Sequence, residues 1–282
     1  MCRLAAFNGG IAKADIIDIL VDMQGTNGDG IGSCHIENGR FVINKFPIGL
    51  QKLLTSKKER GAFLSHIDKK HSGWTIIHMR GASPDMSVCK SNTHPWDVGD
   101  FAVCHNGFWK EHGMPRMILK RFCKFRGSTD SETAAHLINL VGPKKFSDSM
   151  EWGNGVFLAL NRNGHLWAIK TSGDLVIAPL KGDKVFLSSE LPHDSDFKNE
   201  EADRGWYHFD ENGHYIKHKT KEWAYKKSSP SIAANSHCFS HVTPTSWMNT
   251  QSPAGQPKAK IRSYVPDGQP MAGHFGLDER WL

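Results

Sequence analysis

What constrains this chain most is a cysteine at its second position, in Met1-Cys2-Arg3-Leu4-Ala5-Ala6-Phe7. A small second residue permits removal of the initiator methionine, after which Cys2 carries a thiol and a free α-amine able to serve as its base. A nucleophile with a built-in base is one way to activate a thiol for covalent catalysis. Cysteine is also among the most frequently buried residue types, so Cys2 needs support from the rest of the sequence.

Three segments supply it. Thr75-Ile76-Ile77-His78-Met79-Arg80-Gly81-Ala82-Ser83 is a β-branched run ending in a guanidinium and a hydroxyl. Asp100-Phe101-Ala102-Val103-Cys104-His105-Asn106-Gly107 is a second buried-type strand, stopped by Asn-Gly. Both runs carry polar residues at their C-terminal ends, where loops over a sheet commonly build sites. Gly127-Ser128-Thr129-Asp130-Ser131-Glu132, ahead of Thr133 to Ile138, has the pattern of a capped helix start. Taken singly, Arg80 is a surface cation, Asp130 a helix cap and Asn106-Gly107 a turn. Taken together, the odds reverse.

A leading Cys, then His-x-Arg-x-Ala-Ser, then His-Asn-Gly, then Ser-Thr-Asp-x-Glu stand here in one order. On these motifs the chain resembles the class II glutamine amidotransferase domain, over about residues 2–191, closing at Val185-Phe186-Leu187-Ser188-Ser189-Glu190. The resemblance implies an α+β fold, the four-layer αββα sandwich of the N-terminal-nucleophile hydrolases. It implies hydrolysis of the glutamine side-chain amide through a thioester on Cys2, with the oxyanion held by the Asn106 amide and the Gly107 N–H. It further implies that Arg80, assisted by Ser83, clamps the substrate carboxylate and that Asp130 pairs with its ammonium. Both charges of free glutamine need partners once desolvated, and a planar guanidinium suits a carboxylate. No cofactor or metal is implied. Two departures from the family stand out: Ser83 occupies a position more often threonine, and Gly81 one where sugar-phosphate amidotransferases often carry a bulky aromatic. His78, His94 and His105 flank the motifs and are read as structural support.

Fused members of the family carry a synthase after the glutaminase. This chain shows neither a Ser-Gly-Gly-x-Asp-Ser pyrophosphate loop nor room for a sugar-isomerase or phosphoribosyl-binding domain, so the expectation is a stand-alone domain releasing ammonia for a separate synthase. Two alternatives stay open, a hydrolase of another γ-glutamyl amide and a catalytically silent interaction module of the same fold.

Length and charge bound the rest. A chain of 282 residues at 39% hydrophobic supports one sizeable core. No stretch approaches the ~20 apolar residues of a membrane span, so no membrane partner is expected. The net charge of +6 is dispersed in pairs such as Lys57-Lys58 and Lys144-Lys145, without a recognised binding motif, so no nucleic-acid partner is expected either. Six cysteines without CxxC spacing, and no targeting segment ahead of Cys2, predict a reducing, cytoplasmic setting rather than a disulfide framework.

The run Gln24-Gly25-Thr26-Asn27-Gly28-Asp29-Gly30-Ile31-Gly32 lacks the Lys-Ser/Thr of a nucleotide loop and reads as a turn between the first helix and the next strand. Periodicity predicts a helix before it, a strand at 41–43, mostly helix over 49–70, and hairpins turning at 161–164 and 210–213. The expected domain spans 2–227. Residues 228–282, rich in Ser, Pro, Gln, Asn and Gly, read as a disordered tail. Within them, His237-Cys238-Phe239-Ser240-His241 offers three metal-ligand types without a fourth.

Overall fold

In the computed structural model of the chain, residues 2–9, 13–25, 27–67, 73–150, 154–180, 184–190 and 200–219 are described, and alternation along their strands builds the layers. In β1 (Arg3–Asn8), Leu4 and Ala6 point to one side and Ala5 and Phe7 to the other, and both sets are buried. A strand covered on both faces must lie inside a layered structure.

The first sheet runs in the order β11 (Glu200–Glu201), β9 (Val176–Leu180), β10 (Lys184–Ser188), β1, β4 (Trp74–Arg80), β2 (Gly30–Glu37), β3 (Arg40–Phe46). The second runs β13 (Tyr215–Lys219), β12 (Gly205–Phe209), β8 (Leu166–Lys170), β7 (Val156–Asn161), β6 (Phe101–Asn106), β5 (Trp96–Val98). Neighbouring strands in both are antiparallel. Between the sheets, Leu4, Ala6, Trp74 and Ile76 meet Ala102, Cys104, Leu158 and Ala168.

Helices α1 (Lys13–Gln24), α2 (Leu50–Thr55) and α3 (Lys57–Ile67) cover the outer face of the first sheet, packing Ile16, Leu20, Leu50 and Phe63 on Ala5, Phe7, Ile77 and Met79. On the second sheet, α5 (Asp130–Val141) and α6 (Pro143–Ser149) lay Ala134, Ile138 and Phe146 on Val103, Phe157 and Ile169. The short α4 (Gly113–Leu119) lies between β6 and α5. The αββα sandwich expected from the motifs is therefore the fold.

Local detail follows local chemistry. Thr129 caps α5, its hydroxyl accepting the Glu132 N–H, as the capping pattern required. The helical stretch expected over 49–70 is split, because Ser56 is extended and its carbonyl starts the next helix through the Arg60 N–H. The β7–β8 hairpin turns at Asn163-Gly164, where Gly164 has φ +87. Strand β10 lies beside β1, where a closing strand was expected. Residues 68–70, the expected tail at 228–282 and its His237–His241 cluster lie outside the described residues.

Candidate active site

Antiparallel register brings the motifs together. Arg3 of β1 pairs with Met79 of β4, so the start of the first strand meets the end of the fourth. The Cys2 Sγ lies 3.6 Å from the Gly81 carbonyl oxygen. The glycine-rich turn after α1 braces this junction, since Asp29 accepts the Ala82 N–H at 2.7 Å and donates its own N–H to the Arg80 carbonyl at 3.1 Å. On the other flank, Ser189 accepts the Leu4 N–H at 2.9 Å and Glu190 pairs with Arg3.

Strand β6 faces this junction from the second sheet. His78 Nε2 donates to the His105 carbonyl at 3.1 Å, tying β4 to the residue before Asn106. By alternation Asn106 shares the inter-sheet face with Ala102 and Cys104, while the His105 ring turns to the helix layer and meets Ser131 Oγ at 3.1 Å. Gly107 cannot be anything larger: a Cβ there would stand 2.3 Å from the Asn154 carbonyl oxygen and 2.8 Å from Gly155 Cα. Gly155, at φ +101, is its counterpart, with a Cβ position 2.2 Å from the Asn106 carbonyl oxygen. This glycine pair lets two backbones touch beneath the candidate oxyanion hole.

Asp130 begins α5, where the helix dipole favours a carboxylate. It accepts the Trp109 N–H at 2.7 Å through Oδ2 and the Ser131 N–H at 2.8 Å through Oδ1, and its side chain is 10% exposed. One carboxylate thus fixes the chain two residues past Gly107. Arg80 is 3% exposed and donates from Nη1 to the Ser87 carbonyl at 3.0 Å.

Both charges act on the Cys2 thiol. Burial pushes the Cys2 thiol up from 9.0, the Gly81 contact and the Arg80 charge draw it down, and Asp130 raises it, with an upward balance. A thiol held protonated in this way requires a base before it can attack.

The flanking histidines are buried and neutral. His78 is lowered to about 3 and His94 far below its ordinary value, both chiefly by burial, and His105 is lowered for the same reason. Because His78 Nε2 donates to a carbonyl, its Nδ1 must accept, from His94 Nδ1 at 3.1 Å. His94 Nε2 is then a bare acceptor, without a partner among the described residues.

The structure therefore brings Cys2, Arg80, Asn106, Gly107 and Asp130 to one end of the sandwich. Ser83 stands apart from them. It is exposed, its carbonyl accepts the Met86 N–H at 2.9 Å, and among the described residues no hydrogen bond or ion pair joins its side chain to the other five. Sequence reasoning missed Asp29, Gly155 and the Trp109 N–H. Their roles rest on backbone contacts between segments far apart in the chain, for which the sequence carries no local signal. Among the described residues no three His, Cys, Asp or Glu side chains form a metal-binding group, and no helix is long and apolar enough to cross a membrane.

With Cys2 at the head of the central strand and the other candidate residues supplied by β4, β6 and α5, the chain has the sandwich fold of the N-terminal-nucleophile hydrolases and is similar to class II glutamine amidotransferase domains. No protein-family model matches the chain. Among curated proteins it is similar to the glutamine–fructose-6-phosphate aminotransferase of Haemophilus influenzae, with 29% identity over 204 residues, covering 68% of this chain and 32% of that protein. The Aquifex aeolicus aminotransferase of the same name is 26% identical, covering 68% and 33%. The chain spans about a third of the length of these relatives. Among solved structures, glutamine phosphoribosylpyrophosphate amidotransferase from B. subtilis matches with a TM-score of 0.62 at 17% identity, over 79% of this chain and 50% of that one. A glutamine aminotransferase class-II domain protein from Silicibacter pomeroyi matches with a TM-score of 0.52 at 15% identity, over 78% of this chain and all of that one. At such identities these two structures establish the fold.

Proposed function

We propose that this domain hydrolyses the side-chain amide of glutamine and releases ammonia for a separate synthase. The observation that carries the reading is a half-buried thiol placed among a buried guanidinium, a buried carboxylate and the Asn106-Gly107 strand end. Free glutamine has the matching charges, with Arg80 taking its carboxylate and Asp130 its ammonium, and Ser83 assigned to assist Arg80.

Once Met1 is removed, the α-amine of Cys2 takes the thiol proton as sulfur attacks the amide carbon. The oxyanion accepts hydrogen bonds from the Asn106 side-chain amide and the Gly107 N–H. The amine then passes its proton to the departing nitrogen, ammonia leaves, and a thioester remains on Cys2. Water attacks the thioester carbon, glutamate departs, and the thiol is restored. The raised thiol supports this order of events, since a protonated nucleophile needs the amine. Residues 2–227 are taken as the catalytic domain and 228–282 as an appendage, in a cytoplasmic protein.

Ammonia release from glutamine and from a panel of other γ-glutamyl amides tests the reading. Glutamine is expected to be turned over fastest, with all release lost in Cys2→Ala. Faster release from another amide would make this a γ-glutamyl amidohydrolase of different substrate, and no release from any would leave a silent module.

A further inference from the structure

A groove lies where β3 and β5 end the two sheets. Strand β3 ends the first sheet and β5 ends the second. Along β3 the alternating residues Phe41, Ile43 and Lys45 share one face, and Phe41 and Ile43 pack on the inter-sheet core. They line a groove of about 600 Å³ together with Lys90, Ser91, Trp96, Asp97 and Arg126. That volume lies within the ordinary range for a small-molecule site. None of the candidate amidase residues lines it.

Its charges are unbalanced. Arg126 is fixed in place, donating from Nη1 to Asp97 Oδ1 at 2.7 Å and from Nη2 to the Asp97 carbonyl at 2.6 Å. Lys45 has no such partner. Its ammonium stands 4.7 Å from the centre of the Trp96 ring and makes no hydrogen bond or ion pair among the described residues. Burial and the Arg126 charge lower it to about 8, against the weaker raising effects of Asp97, Cys104 and Glu132. Burying an ammonium without a counter-ion is costly, and an anion from solution would offset that cost. Lys90, exposed at the rim, is a third cation, so Lys45, Lys90 and Arg126 against Asp97 leave a net charge of +2.

We propose that this groove binds a phosphomonoester dianion, its phosphoryl group seated among Lys45, Lys90, Arg126 and the Ser91 hydroxyl, its organic part laid on Phe41 and Ile43. The charge matches a dianion rather than a carboxylate, and three phosphoryl oxygens suit several separate donors. Because Asp97 already holds Arg126, little ordering is needed on binding. The site is separate from the amidase and does not depend on that assignment.

Calorimetric titration of the full chain at low salt with inorganic phosphate, phenyl phosphate and benzoate tests the proposal. Phenyl phosphate is expected to bind about tenfold more tightly than inorganic phosphate, and benzoate about tenfold or more weakly than phenyl phosphate. Lys45→Met is expected to weaken phenyl phosphate at least about tenfold and the exposed Lys90→Ala severalfold, with unchanged circular dichroism, while Cys2→Ala binds like the parent. Failure of both phosphates to bind at millimolar concentration would overturn the proposal, as would unchanged binding in Lys90→Ala together with Lys45→Met. Equal affinity for benzoate would overturn the dianion assignment, and equal affinity for inorganic phosphate would overturn the organic part.

Discussion

Arg80 and Lys45 stand at nearly the same level of one sheet, yet the protein treats them in opposite ways. Gly32 of β2 pairs with Lys45 on one side and with His78, two residues before Arg80, on the other. Arg80 is more deeply buried, but a carbonyl fixes it and a carboxylate lies in the same cleft. Lys45 is less buried, has no anionic partner among the described residues, and is lowered to about 8. Between them the His94–Trp96 segment crosses β2 so closely that a Cβ on Gly32 would stand 2.0 Å from the His94 carbonyl oxygen. The two cations therefore differ in what surrounds them: a carbonyl and a nearby carboxylate for Arg80, the face of the Trp96 ring for Lys45.

Substitutions around the Arg80 side should separate chemistry from binding. Asn106→Ala is expected to lower kcat by about 100- to 1,000-fold with little change in KM, because it removes a donor used in the transition state. Arg80→Ala is expected instead to raise KM for glutamine by about 30-fold or more, some 2–4 kcal/mol, through loss of the carboxylate partner. Steady-state kinetics on both variants decide this; a kcat effect in Arg80→Ala alone would remove the guanidinium from substrate recognition.

Gly155→Ala probes the floor of the same site without touching a charged group. Positive φ and the approach of the Asn106 carbonyl oxygen predict a loss of roughly 2–3 kcal/mol in stability, seen in urea unfolding, with reduced turnover in the folded fraction.

The histidines between the two cations set a pH dependence. The folded His78 titrates at about 3, against 6.5 for an ordinary imidazole, and His94 and His105 shift the same way. Below about pH 6.5 the unfolded chain takes up protons that the folded chain refuses, so stability should fall as pH drops from about 6.5 toward 3. Urea midpoints across that range check the slope, and His78→Gln should flatten it.

Lys45→Met should have the smallest effect. Below pH 8 the folded protein bears the full penalty of burying this ammonium, and the penalty fades as pH rises from about 8 to 10.5. The variant is therefore expected to be slightly more stable than the parent at pH 7, by under about 1 kcal/mol after solvent screening, with the gap closing above pH 8. Glutamine hydrolysis should be within a factor of about two of the parent, in contrast to Arg80→Ala.

The same contrast explains what was legible in the sequence. Cys2, Arg80, Asn106-Gly107 and Asp130 were legible because their residue types and order match the motifs of class II glutamine amidotransferase domains, and the roles proposed for them suit the charges of glutamine. The fold followed from those motifs, and the helices and hairpins from period and turn residues. Gly155, Asp29 and the Trp109 N–H were not legible, since each acts through a backbone contact set by tertiary register. Nothing in the sequence singled out Lys45: its place over the Trp96 ring, without an anionic partner among the described residues, comes from the meeting of two sheet edges. Ser56 illustrates the limit of periodicity, which joined two helices across an extended residue.

The central claim is that Cys2 attacks with its own α-amine as base, and one paired measurement tests it most directly. Intact-mass spectrometry and glutamine-dependent ammonia release are recorded on the same preparations, across samples that differ in the fraction of chains still bearing Met1. Activity is expected to rise in proportion to the fraction lacking Met1 and to vanish when every chain retains it. Full activity on protein whose Cys2 amine is still blocked by methionine would contradict it.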